Sequence, residues 1–369
     1  MMNRASDGWI DWRELITMLI IVNVIVGTDM MPLVLFKLGK NATWTFPLIW
    51  GVLIIVPLLA LHSLLKLYRN KGLIQIIYDL TGNYLGFILS GGLFLIVFNM
   101  LIRMSYNFVQ ETSDIFLDTT PDLELYLLLV GAAYFIAKYG FETLGRVSSL
   151  LFPYLVAVFI VFVALARVDF IYQFLYPLGG PGIEKIIKSS VVHIPLLMEF
   201  ILVATFFPFV NNYKDYRRGV WGGLAVSIIT ISLLLMIYIV MFDYNELQVV
   251  SHPFNLLIRV TGISRFFMNF DAFFFGFWLM MVILRISFYL YLNTALFAYL
   301  LKIKEFEPLL LPFATLTILI GFIPENLIKN IRIFKQNIFW NNVWWLLLAL
   351  PLLLWAIAYW KGEFKHEKG

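Results

Sequence analysis

Cysteine and charge are what this chain has least of. Cysteine is absent from all 369 residues, which excludes disulfide bonds, thiolate metal sites and a cysteine nucleophile. Only 14% of the residues are charged, whereas a soluble domain carries about a quarter. The 4 histidines are scattered, and we find no metal-ligand spacing, phosphate loop or hydrolytic constellation. The sequence predicts no enzyme, metal site or cofactor, and the modest net charge of +4 does not indicate nucleic-acid binding.

Long hydrophobic runs make up most of the chain. Hydrophobic residues account for 61% of it, and the mean hydropathy is +0.87. A bilayer core about 30 Å thick needs about 20 apolar residues per helix. We therefore predict an all-α polytopic membrane protein, a single transmembrane domain over residues 1–369. Ten segments are long enough to span, near 15–38, 44–65, 84–115, 122–138, 144–166, 187–210, 218–242, 268–300, 308–325 and 340–360.

The distribution of Lys and Arg predicts the orientation of these spans. Both chain ends and the even-numbered loops carry more of them than the odd-numbered loops do, which favours both termini in the cytoplasm. Between the second and third spans, the segment Lys71–Gly82 is amphipathic and too short to span. It predicts a helix that lies at the membrane interface.

Two of the predicted spans are interrupted. The first carries a glycine, a carboxylate and a proline within Gly27–Pro32, and the sixth carries two prolines and Glu199 within Pro195–Pro208. In hydrocarbon a broken helix is tolerated only where it is buried in protein or lines a cavity, and transporters hold solutes at such breaks. The breaks predict two repeats of five helices, at about 15–166 and 187–360, with a site between helices 1 and 6 that suits an amino acid. Asp29 would be a ligand contact, a proton carrier or a helix cap.

Four ionisable side chains fall inside the predicted spans, namely Asp29, Arg103, Glu199 and Arg285. Each costs about 2.5–3.5 kcal/mol at a helix centre, so such residues usually face a partner or a cavity. Two interpretations stay open: ion pairs that join helices, and a pathway for a polar solute.

Polar residues also form stripes on two of the predicted helices. Asn99 and Arg103 lie one helical turn apart on the third helix, and Arg285, Tyr289 and Asn293 repeat this spacing on the eighth. Residues with this spacing share a helix face. Two facing stripes would make a polar pathway through the bundle, while the alternative is hydrogen bonding between helices.

Short motifs recur in order over nearly the whole chain. They are Gly27 five residues before Pro32, Gly39–Trp44, Leu73–Ile77 followed by Gly82 and Gly86, Leu117–Pro121, Gly140 with Arg146, and Glu199 with Pro208. With these motifs the chain resembles the B subunit of bacterial spore germinant receptors. This is the endospore germination permease family, within the amino acid–polyamine–organocation superfamily.

The resemblance implies a LeuT-like fold of ten helices in two inverted repeats, with helices 1 and 6 broken, in the inner membrane of a spore. It implies a complex with an A subunit and a C subunit, in which the B subunit senses a nutrient germinant, often an amino acid, and triggers ion release. A proton- or cation-coupled amino acid transporter is the alternative. Carried over by position, the ligand pocket would involve Gly27, Thr28, Asp29, Ile96, Met100, Leu196 and Glu199, with Arg285 and Tyr289 lining an adjacent water path.

Overall fold

The protein is almost entirely helical in the computed structural model, which describes residues 8–250, 252–260, 270–323, 343 and 347–364. The predicted all-α class is confirmed within these ranges, where the one isolated bridge joins Ile10 and Val210. The helices are α1 (Trp12–Val24), α2 (Met31–Gly39), α3 (Phe46–Leu67), α4 (Leu73–Ile115), α5 (Asp122–Lys138), α6 (Gly140–Ala166), α7 (Ile183–His193), α8 (Glu199–Leu202), α9 (Tyr213–Leu247), α10 (Pro253–Val260), α11 (Phe270–Leu301), α12 (Leu310–Gly321) and α13 (Leu347–Trp360).

Several helices have the length and composition of membrane spans. Among the described residues, 5 qualify alone, and a bent pair brings the total to 6. The number of ten spans therefore stays a prediction, and parts of the last three fall outside the described residues. The qualifying stretches are Met31–Leu67, Leu73–Ile115, Gly140–Asp169, Tyr213–Leu247 and Phe274–Leu301.

The predicted break in the first span is confirmed. Helix α1 ends at Val24 and a 3-10 turn covers Ile25–Gly27, after which α2 begins at Met31. Asp29 Oδ1 accepts a hydrogen bond from the Met31 N–H at 2.7 Å, the local bond to the backbone two residues on that an Asp side chain forms at a turn. Pro32 stands in the first turn of α2, where its missing N–H costs nothing.

The predicted break in the sixth span is also present. Ile183–Leu197 and Glu199–Phe209 meet at an angle of 41°. Between α7 and α8 the backbone forms a 3-10 turn at Ile194–Leu197, with Pro195 as its second residue. A proline in this position removes a backbone donor and interrupts the α-helical hydrogen bonds.

The helix predicted over Lys71–Gly82 is present and ends in a kink at Gly82, while its position at the membrane interface stays a prediction. It forms the first turns of α4, and the chain continues into the long span through Gly82, where φ is 77° and ψ is −179°. Only glycine adopts such a conformation without strain. The helical run is therefore redirected at Gly82 rather than ended by a loop.

Helix α1 lies at the centre of the bundle and packs against α6, α8, α9 and α11. Two glycines one turn apart on α9 permit a close approach: a Cβ at Gly219 would lie 2.4 Å from Leu15 Cδ2, and one at Gly223 would lie 3.1 Å from Leu19 Cβ. Small residues at this spacing bring helix backbones together in membranes. This contact fixes the position of α1, and therefore the position of the break that follows it.

Candidate ligand site at the broken helices

The break between α1 and α2 is held by side chains from two other helices. Tyr238 of α9 donates a hydrogen bond from its hydroxyl to the Gly27 carbonyl at 3.0 Å. Trp278 of α11 donates from Nε1 to Thr28 Oγ1 at 3.2 Å, and the Thr28 hydroxyl donates to the Ile25 carbonyl at 2.8 Å. The polar groups that the break exposes thus have partners inside the protein, as the apolar interior of a membrane demands.

A buried ion pair joins the broken sixth helix to α11. Arg285 Nη2 donates to Glu199 Oε1 at 2.8 Å, and the Tyr289 hydroxyl donates to the same oxygen at 2.7 Å. Arg285 Nη1 also donates to the Val22 carbonyl of α1 at 2.6 Å. Glu199 is 0% and Arg285 5% exposed. One guanidinium therefore links α1, α8 and α11, and for these two residues the structure shows the interhelical ion pair that was one of the two interpretations left open.

Both members of this pair keep unused hydrogen-bonding capacity. Glu199 Oε2 and Arg285 Nε are buried and have no hydrogen-bond partner among the described residues. Leaving a buried polar group unpaired costs about 1–3 kcal/mol, and more when it is charged. The arrangement therefore favours a bound polar group that accepts from the guanidinium or donates to the carboxylate.

The other predicted pocket residues occupy different settings. Arg285 bonds both Glu199 and the Val22 carbonyl, near the end of α1. The structure therefore brings Glu199 and Arg285 next to the first break, where Asp29 bonds the Met31 N–H. Leu196 is buried in the turn before α8. Ile96 and Met100 lie half-buried on α4 against the apolar core.

The two predicted polar stripes are only partly explained by contacts. Asn293 Nδ2 donates to the Tyr289 carbonyl at 2.9 Å, which satisfies half of its amide within its own helix. Asn99 Oδ1 is buried without a partner among the described residues, and Arg103 is half-buried. Helices α4 and α11 do pack against each other, but a continuous polar path between them stays a prediction.

Three residues that contribute to the site were not predicted from the sequence. Val22 acts through its backbone carbonyl, which leaves no trace in residue type. Tyr238 and Trp278 are hidden among the aromatic residues, which make up 17% of the chain. The spacing of Trp278, seven residues before Arg285, places both on one face of α11, and this signal could have identified the tryptophan.

A membrane-embedded helical bundle with two broken helices and charged groups at the breaks is the architecture of a permease. Residues 10–329 match the sequence model of the family described as spore germination protein. Since the match covers most of the chain, the protein belongs to that family. The resemblance noted from short motifs is thereby confirmed.

The chain is similar to spore germination proteins of Bacillus subtilis (strain 168), two of them over more than nine-tenths of its length. It is 24% identical to the putative spore germination protein YfkT, with 92% of this chain and 93% of the relative covered. It is 22% identical to spore germination protein KB, with 96% of both chains covered. Spore germination protein B2 is 20% identical over 70% of this chain and 71% of its own length.

A solved structure defines the fold. The chain superimposes on a Na+-coupled sialic acid symporter, solved in a substrate-bound outward-open state, with a TM-score of 0.58. The match covers 96% of this chain and 81% of the symporter. Because the sequence identity is only 10%, the match shows the fold and nothing about function. The symporter has the LeuT fold, and the predicted LeuT-like, all-helical class is confirmed, while the number of ten helices stays a prediction.

Proposed function

We propose that this protein is the nutrient-sensing membrane subunit of a spore germination receptor. In this proposal it binds a small germinant, an amino acid, where the two broken helices meet, and the bound ligand triggers ion release. Membership of the spore germination protein family supports the process. The buried Glu199–Arg285 pair supports the site.

The chemistry of the pair favours a zwitterion as ligand. Glu199 Oε2 and Arg285 Nε are the unpaired atoms of opposite charges in one buried contact. An ammonium group would donate to the carboxylate, and a carboxylate would accept from the guanidinium, both as charge-assisted hydrogen bonds. A free amino acid carries both groups at a short distance from each other.

The same pair offers a route from binding to a change of shape. A ligand shifts an equilibrium only by binding one conformation better than another. A zwitterion bound to Glu199 Oε2 and Arg285 Nε adds its own charges beside the link between α8, α11 and the Val22 carbonyl of α1, and so changes the strength of that link. The broken segments would then move relative to α11, and partner subunits would detect that movement.

The remaining features belong to the same proposal. The chain is a receptor subunit and not an enzyme, it forms a single domain over residues 1–369, and it works with A and C subunits in the inner membrane of a spore. Both termini face the cytoplasm. The second candidate is a proton- or cation-coupled amino acid transporter, favoured by the fold shared with a symporter.

Proteoliposomes that contain only this chain separate the two functions. Amino acids are screened for uptake with and without a proton gradient, and for stabilisation of the protein against heat. A sensor predicts stabilisation without concentrative uptake. Concentrative uptake that the Gly27→Leu substitution abolishes would establish a transporter and overturn the sensor proposal.

A further inference from the structure

A pocket of about 1030 Å³ lies at the end of the bundle where the described part of the chain begins and ends. The Ile10 N–H donates to the carbonyl of Phe209, which lines the pocket, at 3.1 Å. On the C-terminal side, Lys361 Nζ donates to the Leu80 carbonyl at 2.8 Å. The walls come from the connection between α3 and α4, the first turns of α4, the end of the broken sixth helix and the end of α11.

The pocket is strongly basic. Its described lining contains a single carboxylate, Asp79, which is already paired with Lys71 at 2.8 Å. Three positive charges are therefore left over, and they come from two separate parts of the chain. The cations that line the pocket are Arg69, Lys71, Lys302 and Lys304.

Neutral donors complete the lining. Tyr78 lines the pocket, and its hydroxyl oxygen is buried with no hydrogen-bond partner among the described residues. The side-chain Oε1 of Gln75 accepts from the Gly72 N–H at 3.0 Å, so the side-chain NH₂ group remains as a donor. Cations surrounded by further donors match the oxygens of a phosphate group.

The mouth of the pocket lies beside an apolar surface. Directly after Asn83, which lines the pocket, α4 exposes a run of large apolar side chains that begins with Tyr84, 90% exposed. The hydrogen bond from Lys361 to the Leu80 carbonyl places the end of α13 beside this part of α4. Trp360, the last residue of α13, is 84% exposed. Exposed aromatic residues of this kind mark the boundary between lipid tails and headgroups.

We propose that this pocket binds the phosphate headgroup of an anionic phospholipid, whose tails lie along the apolar face of α4 beyond Asn83. Basic pockets between membrane helices are suited to such headgroups. The walls include the end of the broken sixth helix, at Pro208 and Phe209. A bound lipid would therefore contact the segment that carries Glu199 and stabilise one arrangement of it.

The chain provides a matched control for this site. Lys214, Arg217 and Arg218 form a second basic cluster beside Trp221, around a pocket of about 420 Å³. This cluster lies at the start of α9, close to Asn211, whose N–H donates to the Ile10 carbonyl at 3.1 Å. It therefore occupies the same end of the bundle, but a single helix supplies all of its cations.

The experiment compares three proteins in phosphatidylcholine nanodiscs that contain increasing fractions of phosphatidylglycerol. They are the wild type, the pocket variant Arg69→Gln/Lys304→Gln and the control variant Lys214→Gln/Arg218→Gln. Bound phosphatidylglycerol is counted by native mass spectrometry, and the melting temperature is recorded in parallel. Each basic residue near an anionic surface contributes about five-fold in affinity, so we expect the pocket variant to bind about 25-fold more weakly. The control variant should retain wild-type binding to the pocket.

Three results would overturn the proposal: unchanged lipid binding by the pocket variant, equal loss in both variants, or full competition by inorganic phosphate. Equal loss would mean general attraction to an anionic surface, and competition would mean that free phosphate is the ligand. Tyr78→Phe keeps every charge and removes one donor. It should weaken lipid binding without changing the melting temperature in pure phosphatidylcholine, so the test holds even if the double variant misfolds.

Discussion

At the scale of single residues, Arg285 makes the contacts on which the site depends. Its guanidinium holds Glu199 and the Val22 carbonyl together while almost completely buried. Removing one member of a buried ion pair leaves an uncompensated charge, which costs about 3–5 kcal/mol. A pair at the surface contributes about 0–1 kcal/mol. The two kinds of pair should therefore respond differently to the same substitution.

We predict that Arg285→Leu lowers the free energy of unfolding by about 3–5 kcal/mol, because Glu199 loses its counter-charge. Arg146→Leu is the matched control, since Arg146 pairs with Glu142 one turn away and its side chain is 69% exposed. That change should cost about 1 kcal/mol or less. Reversible denaturation in lipid nanodiscs measures both.

The double variant Glu199→Gln/Arg285→Leu tests whether the stability lost in Arg285→Leu comes from the unpaired charge of Glu199 or from lost packing. It removes the uncompensated carboxylate, so it should be more stable than Arg285→Leu alone. If Arg285→Leu proves as stable as Arg146→Leu, the pair does not support the fold. Arg285 would then be retained for a pathway or a ligand alone.

At the scale of elements, the sequence shows where helices break more clearly than where they begin. Gly27–Pro32 and Pro195–Pro208 indicate both breaks, because glycine and proline act on the backbone locally. The end of the short helix at Gly82 also follows from the sequence, but the direct passage of the chain into the long span there depends on the backbone angles of that one residue. The choice of Glu199 as the partner of Arg285 depends on contacts across 86 positions. Local patterns carry no information on such a pairing.

A second contact between elements is sensitive to pH. His252, in the connection before α10, places Nε2 3.3 Å from Asp114 Oδ2 and Nδ1 3.9 Å from Glu111 Oε1 near the end of α4. The carboxylates of Glu111 and Asp114 raise the pKa of His252 above its usual 6.5, although partial burial opposes the change. The protonated imidazole thus joins this connection to α4.

We predict that this junction stabilises the protein below pH 6.5 and that its contribution is lost as the pH rises through the raised pKa of His252. A histidine with a raised pKa binds a proton more tightly in the folded state, so acidification favours folding over this range. Melting temperatures of the wild type and His252→Gln are compared at pH 6 and pH 8. The difference between the two proteins should be larger at pH 6, and an equal difference at both values would refute the assignment.

At the scale of the whole molecule, the fold and the family agree over nearly the full chain. The relatives YfkT and KB are matched over more than nine-tenths of their length at 24% and 22% identity. The symporter shares the fold at 10% identity. At such a distance, what the chain shares with the symporter is the arrangement of its helices. Sensing and transport can both use this arrangement, because each requires a ligand that favours one conformation.

The measurement that tests the proposed site most directly is amino acid binding by a variant with a large side chain at Gly27, in the break between α1 and α2. A side chain at Gly27 would place its Cβ 2.9 Å from Leu234 Cδ2, whereas a Cβ at Gly131 on α5 meets nothing within 4 Å. The standard amino acids are screened for a rise in melting temperature with wild type, Gly27→Leu and Gly131→Leu. We predict that at least one amino acid stabilises the wild type and Gly131→Leu, by about 2.7 kcal/mol at a hundred times its dissociation constant, and leaves Gly27→Leu unchanged. An equal rise in Gly27→Leu, or no rise with any amino acid, would contradict a ligand site at the broken helices.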